Sequence, residues 1–342
     1  MDVLFWGTPA YAVASLDALA AAGHRICGVV SQPDRRRGRG KDLVASPVKA
    51  RALSLGIPVF TPERIRTDLD CQRQLAELGA AISVVVAFGQ ILPPEVLAQP
   101  PLGCWNGHGS LLPRWRGAAP IQWSLLEGDQ QTGVGIMAME AGLDTGPVLL
   151  ERAIPIGLLQ NAQELAAQLA ELTGQLFVEA LPSIEAAGAG PEAERLGRLG
   201  VVPQEQATMT YARMLAKADF MVDWGRQALA IHRQVMGLYP GATTSWQNKR
   251  FKVQSSEPMI PRLIEQLSPE VQPLLGRYGS NSSNSDQDQA GTVIAVEEGL
   301  GLVVATGGCP ILVRSGQLEG KAASSGQSMV QQLGAKAGDR FD

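Results

Sequence analysis

A doubly wound, mostly parallel α/β sheet followed by a small β-barrel is the fold class this chain predicts, and three observations carry that expectation. Short apolar runs alternate with helix-like segments through the first half. That alternation marks a parallel, Rossmann-like sheet with helices on its faces. One run, AAISVVVAFG (80–89), is apolar without alternation, as a strand buried on both faces must be. From about Thr208 the helices give way to short strand-like runs at the spacing of a small, OB-like β-barrel. A length of 342 residues leaves room for two domains, each with its own core.

Taken in order, DVLFWGT (2–8) reads as a buried strand and PAYAVASLDALAAAG (9–23) as a helix with proline in its first turn. RICGVVS (25–31) is a second strand, followed by the polar loop QPDRRRGRGKDLVAS. A helix from about Pro47 to Leu55 leads into PVF; after the central AAISVVVAFG run, GCWNGHG and GVGIMAME supply two more strands. Sheets of this kind place ligands at the carboxyl ends of their strands, near the switch in strand order. NAQELAAQLAELTGQLFVEALPSIEAAGAG (161–190) is a long amphipathic helix, and PEAERLGRLGVVPQEQ reads as a linker. A helix near Gly225–Met236 precedes the barrel strands ATTSWQ, KRFKVQ, AGTVIAVEEG, GLVVATG and CPILVRSGQ. The expected organisation is a sheet domain over 1–189, a linker over 190–207 and a barrel domain over 208–342. Near 257–290 the barrel is interrupted by an insertion whose Ser/Asn/Asp/Gln tail is expected to be disordered.

Composition narrows the function classes. The net charge is −4, with 16 Lys/Arg against 20 Asp/Glu in residues 1–200 and 13 of each thereafter. Any polyanion must therefore be held by local patches. No apolar run is long enough to span a bilayer, and MDVLFWGTPAYA has neither a basic start nor a small-residue cleavage site, so no membrane or export role is expected. Cys27, Cys71, Cys104 and Cys309 are scattered without CxxC pairs. That argues against a metal site or disulfide framework and fits a reducing cytoplasm.

The first strand turns into a helix at WGTPAYA, which has one glycine where a dinucleotide fingerprint needs three, so NAD binding is not expected. Attention moves to NGHG. Gly107 and Gly109 clear space around His108, one of only three histidines. Asn106 offers an amide donor for a developing oxyanion, and a neutral imidazole exchanges protons near pH 7. Asp144, in GLDTGPV, is a candidate to orient His108 or relay a proton. A structural turn histidine and an Asx-turn aspartate fit the same spacing. His24 and His232 read as structural. Two basic clusters complete the inventory: RRRGRGK (Arg35, Arg36, Arg37, Arg39 and Lys41), flexible through its glycines, and RWR with Arg114 and Arg116 around an aromatic face. Charge beside a stacking surface suits a phosphate backbone or a single-stranded RNA end.

NGHGSLLPRWRGAAPIQWSLLEGDQQTGVGIMAMEAGLDTGPVL resembles the signature core of the 10-formyltetrahydrofolate-dependent formyltransferases. GTPAYA, QPDRRRGRGK with SPVK, AFGQILP and SLLPRWRGAAPIQ resemble the branch of that family acting on methionyl-tRNA. The likeness is nearly continuous over 1–150 and weaker through TYARMLAKADFMVDW and the barrel. It implies that Asn106, His108 and Asp144 are the catalytic trio of a domain at 1–189. Ser110, Leu111, Leu112 and Pro113 would bind the folate donor, and Phe88, Gly89, Gln90, Ile91 and Leu92 would line its pterin pocket, largely through backbone. The basic loop would enter the acceptor-stem region of initiator methionyl-tRNA with Arg39 probing its unpaired end, and the barrel would grip phosphates. A monomer is the implied state. Gly107 departs from a valine in the family pattern, and Arg36–Arg37 from a Pro-Ala-like pair. The first change would loosen the strand end; the acidic-polar stretch near 281–289 would point away from RNA. Three other classes compete: a formyltransferase acting on a sugar nucleotide or other small amine, a folate-dependent hydrolase and a non-catalytic RNA-binding module.

Overall fold

The computed structural model describes residues 1–37, 42–279 and 289–342, with the backbone alone described at Arg37. The chain forms two compact units. One comprises Met1–Pro120, Thr132–Ile154 and Ala166–Arg213; the other comprises Ile121–Gln131, Pro155–Leu165 and Met214–Asp342.

The chain opens with β1 (Asp2–Gly7), α1 (Ala10–Ala21), β2 (Arg25–Val30), β3 (Arg35–Arg37), β4 (Asp42–Val44), α2 (Pro47–Ser54) and β5 (Val59–Phe60). Next come α3 (Leu69–Glu77), β6 (Ile82–Val86), α4 (Pro94–Leu97), β7 (Cys104–His108), β8 (Arg116–Gly117) and α5 (Pro120–Glu127). β9 (Gln131–Ala138), β10 (Val148–Pro155), α6 (Ala162–Ala187), α7 (Glu192–Leu199) and β11 (Tyr211–Ala212) follow. Among the described residues, seven strands form one sheet in the order β10-β9-β7-β6-β1-β2-β5. β1, β2, β5, β6 and β7 run parallel, and β9 is antiparallel to β7. The path leaves β1 for β2 and β5, then returns to β6 on the other side of β1. That reversal is the switch point, where a crevice opens at the carboxyl ends.

Every residue of β6 is buried, which explains its unbroken β-branched run. Its one polar side chain, Ser83, accepts a hydrogen bond from Trp6 Nε1 at 3.1 Å, so burial leaves that hydroxyl satisfied. α2 starts where Ser46 caps it, accepting from the Lys49 amide at 3.0 Å, with Pro47 in the first position. α6 buries Leu169, Leu172, Leu176, Phe177, Leu181 and Ile184, a stripe at helical spacing. Each contributes about 1.5–3 kcal/mol of transfer free energy.

Two expectations are corrected in this unit. The linker is not a free tether: α7 closes on Gly200 in the left-handed conformation. From α7, the buried Arg195 donates to the Leu102 carbonyl at 2.5 Å, and the first unit runs on to Arg213. The basic loop is not uniformly flexible either, because Arg35–Arg37 pairs antiparallel with Asp42–Val44 and backbone pairing fixes its stem. Arg39 and Lys41 lie outside the described residues.

The second unit contains α8 (Ala228–Gly237), β12 (Thr243–Trp246), β13 (Lys249–Pro258), α9 (Leu275–Tyr278), β14 (Val293–Glu297), β15 (Gly301–Val304), β16 (Ile311–Leu318), β17 (Ser324–Ser325) and α10 (Gly326–Leu333). Its strands form an antiparallel sheet in the order β12-β13-β16-β15-β14, with β17 beside β16. The core gathers on Phe341, whose ring lies 5.3 Å from Trp224, 4.6 Å from Trp246 and 5.6 Å from Phe251. The described part of the 257–290 insertion, up to Gly279, is packed on the sheet rather than loose. Met259, Leu267, Val271, Leu274 and Leu275 bury against Val303 and Leu312 of the sheet. Buried Glu257 accepts from Ser268 Oγ and Arg314 NH1, both at 2.5 Å, which ties the segment down. Of the acidic-polar tail, 280–288 lie outside the described residues. No helix among those described is long and apolar enough to cross a membrane.

Candidate active site

β7 ends in the Asn-Gly-His stretch. Asn106 pairs with Val85 on β6 and Met137 on β9, and His108 with Gly135, so the strand end is held from both sides. Gly107 is required by close packing. A Cβ there would stand 2.5 Å from Thr173 Cγ2 and 2.8 Å from Phe177 Cε2 of α6. The strand end is therefore not loosened by glycine; α6 occupies the volume a side chain would take.

His108 is 6% exposed, and its Nε2 lies 2.9 Å from the Trp115 carbonyl. A carbonyl only accepts, so Nε2 carries the hydrogen and Nδ1 is the nitrogen left to exchange a proton. Nδ1 faces Asp144 Oδ2 at 3.7 Å. The carboxylate is held in turn by the Gly117 amide, which donates to Oδ2 at 2.8 Å, while Asn106 Nδ2 donates to Oδ1 at 3.5 Å. Asp144 adopts a left-handed backbone, φ 53°. Aspartate tolerates that conformation better than most residues, but it persists only where the surroundings enforce it. Amide, imidazole and carboxylate thus converge from β7 and from the turn between β9 and β10.

After the histidine, Ser110 is fully buried and its hydroxyl donates to the Arg114 carbonyl at 2.6 Å, closing the SLLP turn. Leu112 is buried and leads into Pro113 through a cis peptide, while Leu111 and Pro113 are half-buried. Arg114 is exposed, with its guanidinium 4.4 Å above the ring of the buried Trp115. Arg116 departs from expectation. It is 1% exposed, with Nε donating to Gln204 Oε1 at 2.9 Å and NH1 to Gln206 Oε1 at 3.2 Å. A guanidinium enclosed in this way is no RNA-facing cation, because residues of the supposed linker cover it.

The 88–92 turn divides its labour. Phe88 and Leu92 point into the core, Phe88 edge-on to Trp6 at 5.2 Å. Gln90 accepts from the Ile65 amide at 2.8 Å, and Ile91 is exposed. Thr8 Oγ1 and Gln32 Nε2 donate to the Phe88 carbonyl at 2.9 and 3.3 Å. Gly89 takes φ 86°, a conformation natural to glycine. Around these groups a cleft of about 280 Å³ opens at the switch point, lined by Thr8, Pro9, Gln32, Arg35, Phe88 and Gly89 among others. Arg35 and Arg36 are exposed on the hairpin stem.

His24 sits in a turn, and burial lowers its pKa. His232 is enclosed on α8, donating from Nε2 to the Leu158 carbonyl at 2.7 Å. No cluster of three or more His, Cys, Asp or Glu side chains suited to a metal occurs among the described residues. Sequence reasoning missed Gln204, whose Nε2 donates to the Asp144 and Gly146 carbonyls at 2.9 and 2.7 Å. Nothing in the local pattern marks a glutamine that acts 60 positions away.

A switch-point sheet carrying an Asn-Gly-His strand end opposite a strained aspartate, joined to an antiparallel domain, defines an α/β group-transfer class. The chain belongs to the formyl transferase family. The model described as formyl transferase matches residues 1–181, and that described as formyl transferase, C-terminal domain, matches 214–334. The chain is 65% identical over 335 residues to the methionyl-tRNA formyltransferase of Parasynechococcus marenigrum (strain WH8102), covering 98% of this chain and 97% of the relative. To the methionyl-tRNA formyltransferase of Synechococcus sp. (strain RCC307) it is 64% identical, covering 97% and 100%. Among solved structures, the N-formyltransferase from Helicobacter canadensis in complex with folinic acid and dTDP-3-aminofucose matches with a TM-score of 0.60 at 16% identity, covering 91% of this chain and 98% of that one. That likeness is one of fold.

Proposed function

We propose that the chain transfers the formyl group of 10-formyltetrahydrofolate to the α-amine of methionine on initiator methionyl-tRNA, and that Asn106, His108 and Asp144 carry the chemistry. The observation behind the residue assignment is the convergence of the Asn106 amide and the His108 Nδ1 on the Asp144 carboxylate. The substrate assignment draws on relatives at 64–65% identity over nearly the whole chain.

A free amino terminus has a pKa near ~8, so a useful fraction of the methionyl amine is neutral at pH 7. Its nitrogen attacks the formyl carbon, a new C–N bond forms and the carbonyl oxygen gains negative charge. The Asn106 N–H and a proton on His108 Nδ1 stabilise that oxygen. As the old C–N bond breaks, one proton leaves the attacking nitrogen and one reaches the departing nitrogen of the donor. Asp144, beside Nδ1, holds the imidazole for that exchange and helps to remove the amine's proton. The SLLP turn (Ser110, Leu111, Leu112, Pro113) and the backbone of 88–92 hold the donor; the core positions of Phe88 and Leu92 are consistent with recognition through main chain.

Arg35, Arg36, Arg37, Arg39, Lys41 and Arg114 form the cationic contact with the tRNA 3′ end, and the C-terminal unit holds phosphates. Arg116 is excluded from that set by its burial. The protein acts as a monomer in the cytoplasm, where its four free cysteines stay reduced.

The test is formyl transfer to charged initiator methionyl-tRNA set against elongator methionyl-tRNA. Equal rates would remove the initiator claim and leave the chemistry. Loss of one oxyanion donor costs roughly 10²–10³ in turnover. Asn106→Ala and His108→Ala are each expected to lose that much, with smaller effects on tRNA affinity. Near-normal turnover in both variants refutes their roles.

A further inference from the structure

We propose that Gln204, on the segment between the two family-matched domains, is a positioning residue that sets the Asp144 carboxylate for formyl transfer. The inference rests on the catalytic reading above and extends it to a part of the chain outside the residues matched to either domain, 1–181 and 214–334. One primary amide makes three bonds here. Its Nε2 donates to the carbonyls of Asp144 and Gly146 at 2.9 and 2.7 Å, and its Oε1 accepts from Arg116 Nε at 2.9 Å. Two donors and one acceptor at a single point are what a glutamine amide supplies and a glutamate does not.

The same segment reaches the carboxylate by a second route. β11 pairs in parallel with β8, and the Arg116 and Ala118 amides donate to the Thr210 and Ala212 carbonyls at 2.9 and 2.8 Å. Because successive amides of a strand point opposite ways, the Gly117 N–H faces away from β11 and meets Asp144 Oδ2 at 2.8 Å. Gly117 itself is at φ 115°, and a Cβ there would stand 2.8 Å from the Ala212 carbonyl. Residues 204–212 therefore fix both the backbone and the carboxylate of Asp144. Buried Arg116 supports the arrangement with its charge, polarising the Gln204 amide whose N–H groups hold the turn. A left-handed aspartate needs such enforcement to stay in place.

The experiment uses the full-length protein, with steady-state and single-turnover formylation of charged initiator tRNA. Gln204→Glu keeps an acceptor for Arg116 and sets an oxygen against two carbonyl oxygens. Gln204→Met keeps the volume and removes donors and acceptor together. Each is expected to lower kcat about 10- to 100-fold, the scale of a misplacement near 1 Å. KM for both substrates should stay within about threefold, and the thermal midpoint should fall in Gln204→Met, which leaves the buried Arg116 Nε without its acceptor. In an Asp144→Ala background the same substitutions should cost less than about twofold, because Gln204 acts through Asp144. An undiminished loss in that background, an unchanged kcat, a change confined to KM, or failure of both variants to fold would each overturn the proposal. If the unmodified protein formylates methionyl-tRNA and the Gln204 variants match it, this inference alone falls. If the unmodified protein does not, the functional reading falls and takes this inference with it.

Discussion

At the scale of single residues, the site is governed by how closely other atoms approach it. Gly107 is the clearest case. Thr173, the neighbour its Cβ would strike, has a hydroxyl donating to the Leu169 carbonyl at 2.6 Å and lying 2.8 Å from Tyr11 Oη, so it cannot swing aside without breaking both contacts. Burial pushes the Tyr11 hydroxyl pKa up to about 12, with the Thr173 hydrogen bond acting the other way. Gly107→Val is expected to destabilise the protein by about 1–3 kcal/mol through overpacking. The check is the midpoint of urea unfolding at unchanged slope, and an unaltered midpoint would show that α6 yields. Asn106, His108 and Asp144 stood out in the sequence because glycines flank them. What was not legible was the hydrogen-bond partner of each, since Trp115, Gly117 and Gln204 offer backbone groups or a common side chain with no distinctive spacing.

Elements carry the next set of consequences. α8 buries His232 between the Leu158 carbonyl and Ser256 Oγ. Burial holds its pKa below the ordinary 6.5, while the Leu158 hydrogen bond and the charge of Glu257 oppose the shift without reversing it. Above about pH 6.5 the ring is neutral in both folded and unfolded chains, and the full stability is present. As pH falls below that value, the unfolded chain takes up a proton that the folded chain refuses, so stability declines toward the lower folded-state pKa. The expected result is a thermal midpoint that drops between pH 7 and 5.5, with a shallower slope in His232→Gln. Equal slopes in the two proteins would count against the buried ring as a source of the pH dependence. The elements were largely legible: β1, β2, β6, β7 and α6 follow from periodicity and apolar runs, which are local. α7 and the β3–β4 hairpin were read as linker and loop. Their order comes from anchoring by Arg195 and from cross-strand pairing, neither of which leaves a local signature.

For the molecule as a whole, each unit has its own core and its own consequence. In the second unit the aromatic cluster closes on Phe341, so Phe341→Ala is expected to cost about 3–5 kcal/mol and to lower that unit's thermal transition. A calorimetric transition left in place would refute the assigned weight of that ring. In the first unit the cations of the basic loop define the expected response to salt. Each phosphate contact adds close to one unit to the slope of log affinity against log salt. Neutralising Arg35, Arg36, Arg37, Arg39 and Lys41 together should raise KM for tRNA and flatten that slope, whereas Arg116→Gln, at a buried position, should leave the slope as it is. An unchanged slope in the loop variant would remove the hairpin from the RNA contact.

Sequence by itself determined the α/β sheet followed by a smaller all-β part, the switch-point location and the Asn-Gly-His strand end, because alternation, apolar runs and glycine placement act over a few residues. Only the tertiary structure decided which arginine faces solvent, which imidazole nitrogen is open and which groups hydrogen-bond Asp144. Those outcomes depend on burial and hydrogen bonds between positions as far apart as Arg116 and Gln204, 88 residues in sequence, and long-range contacts of that kind are set by packing rather than by pattern.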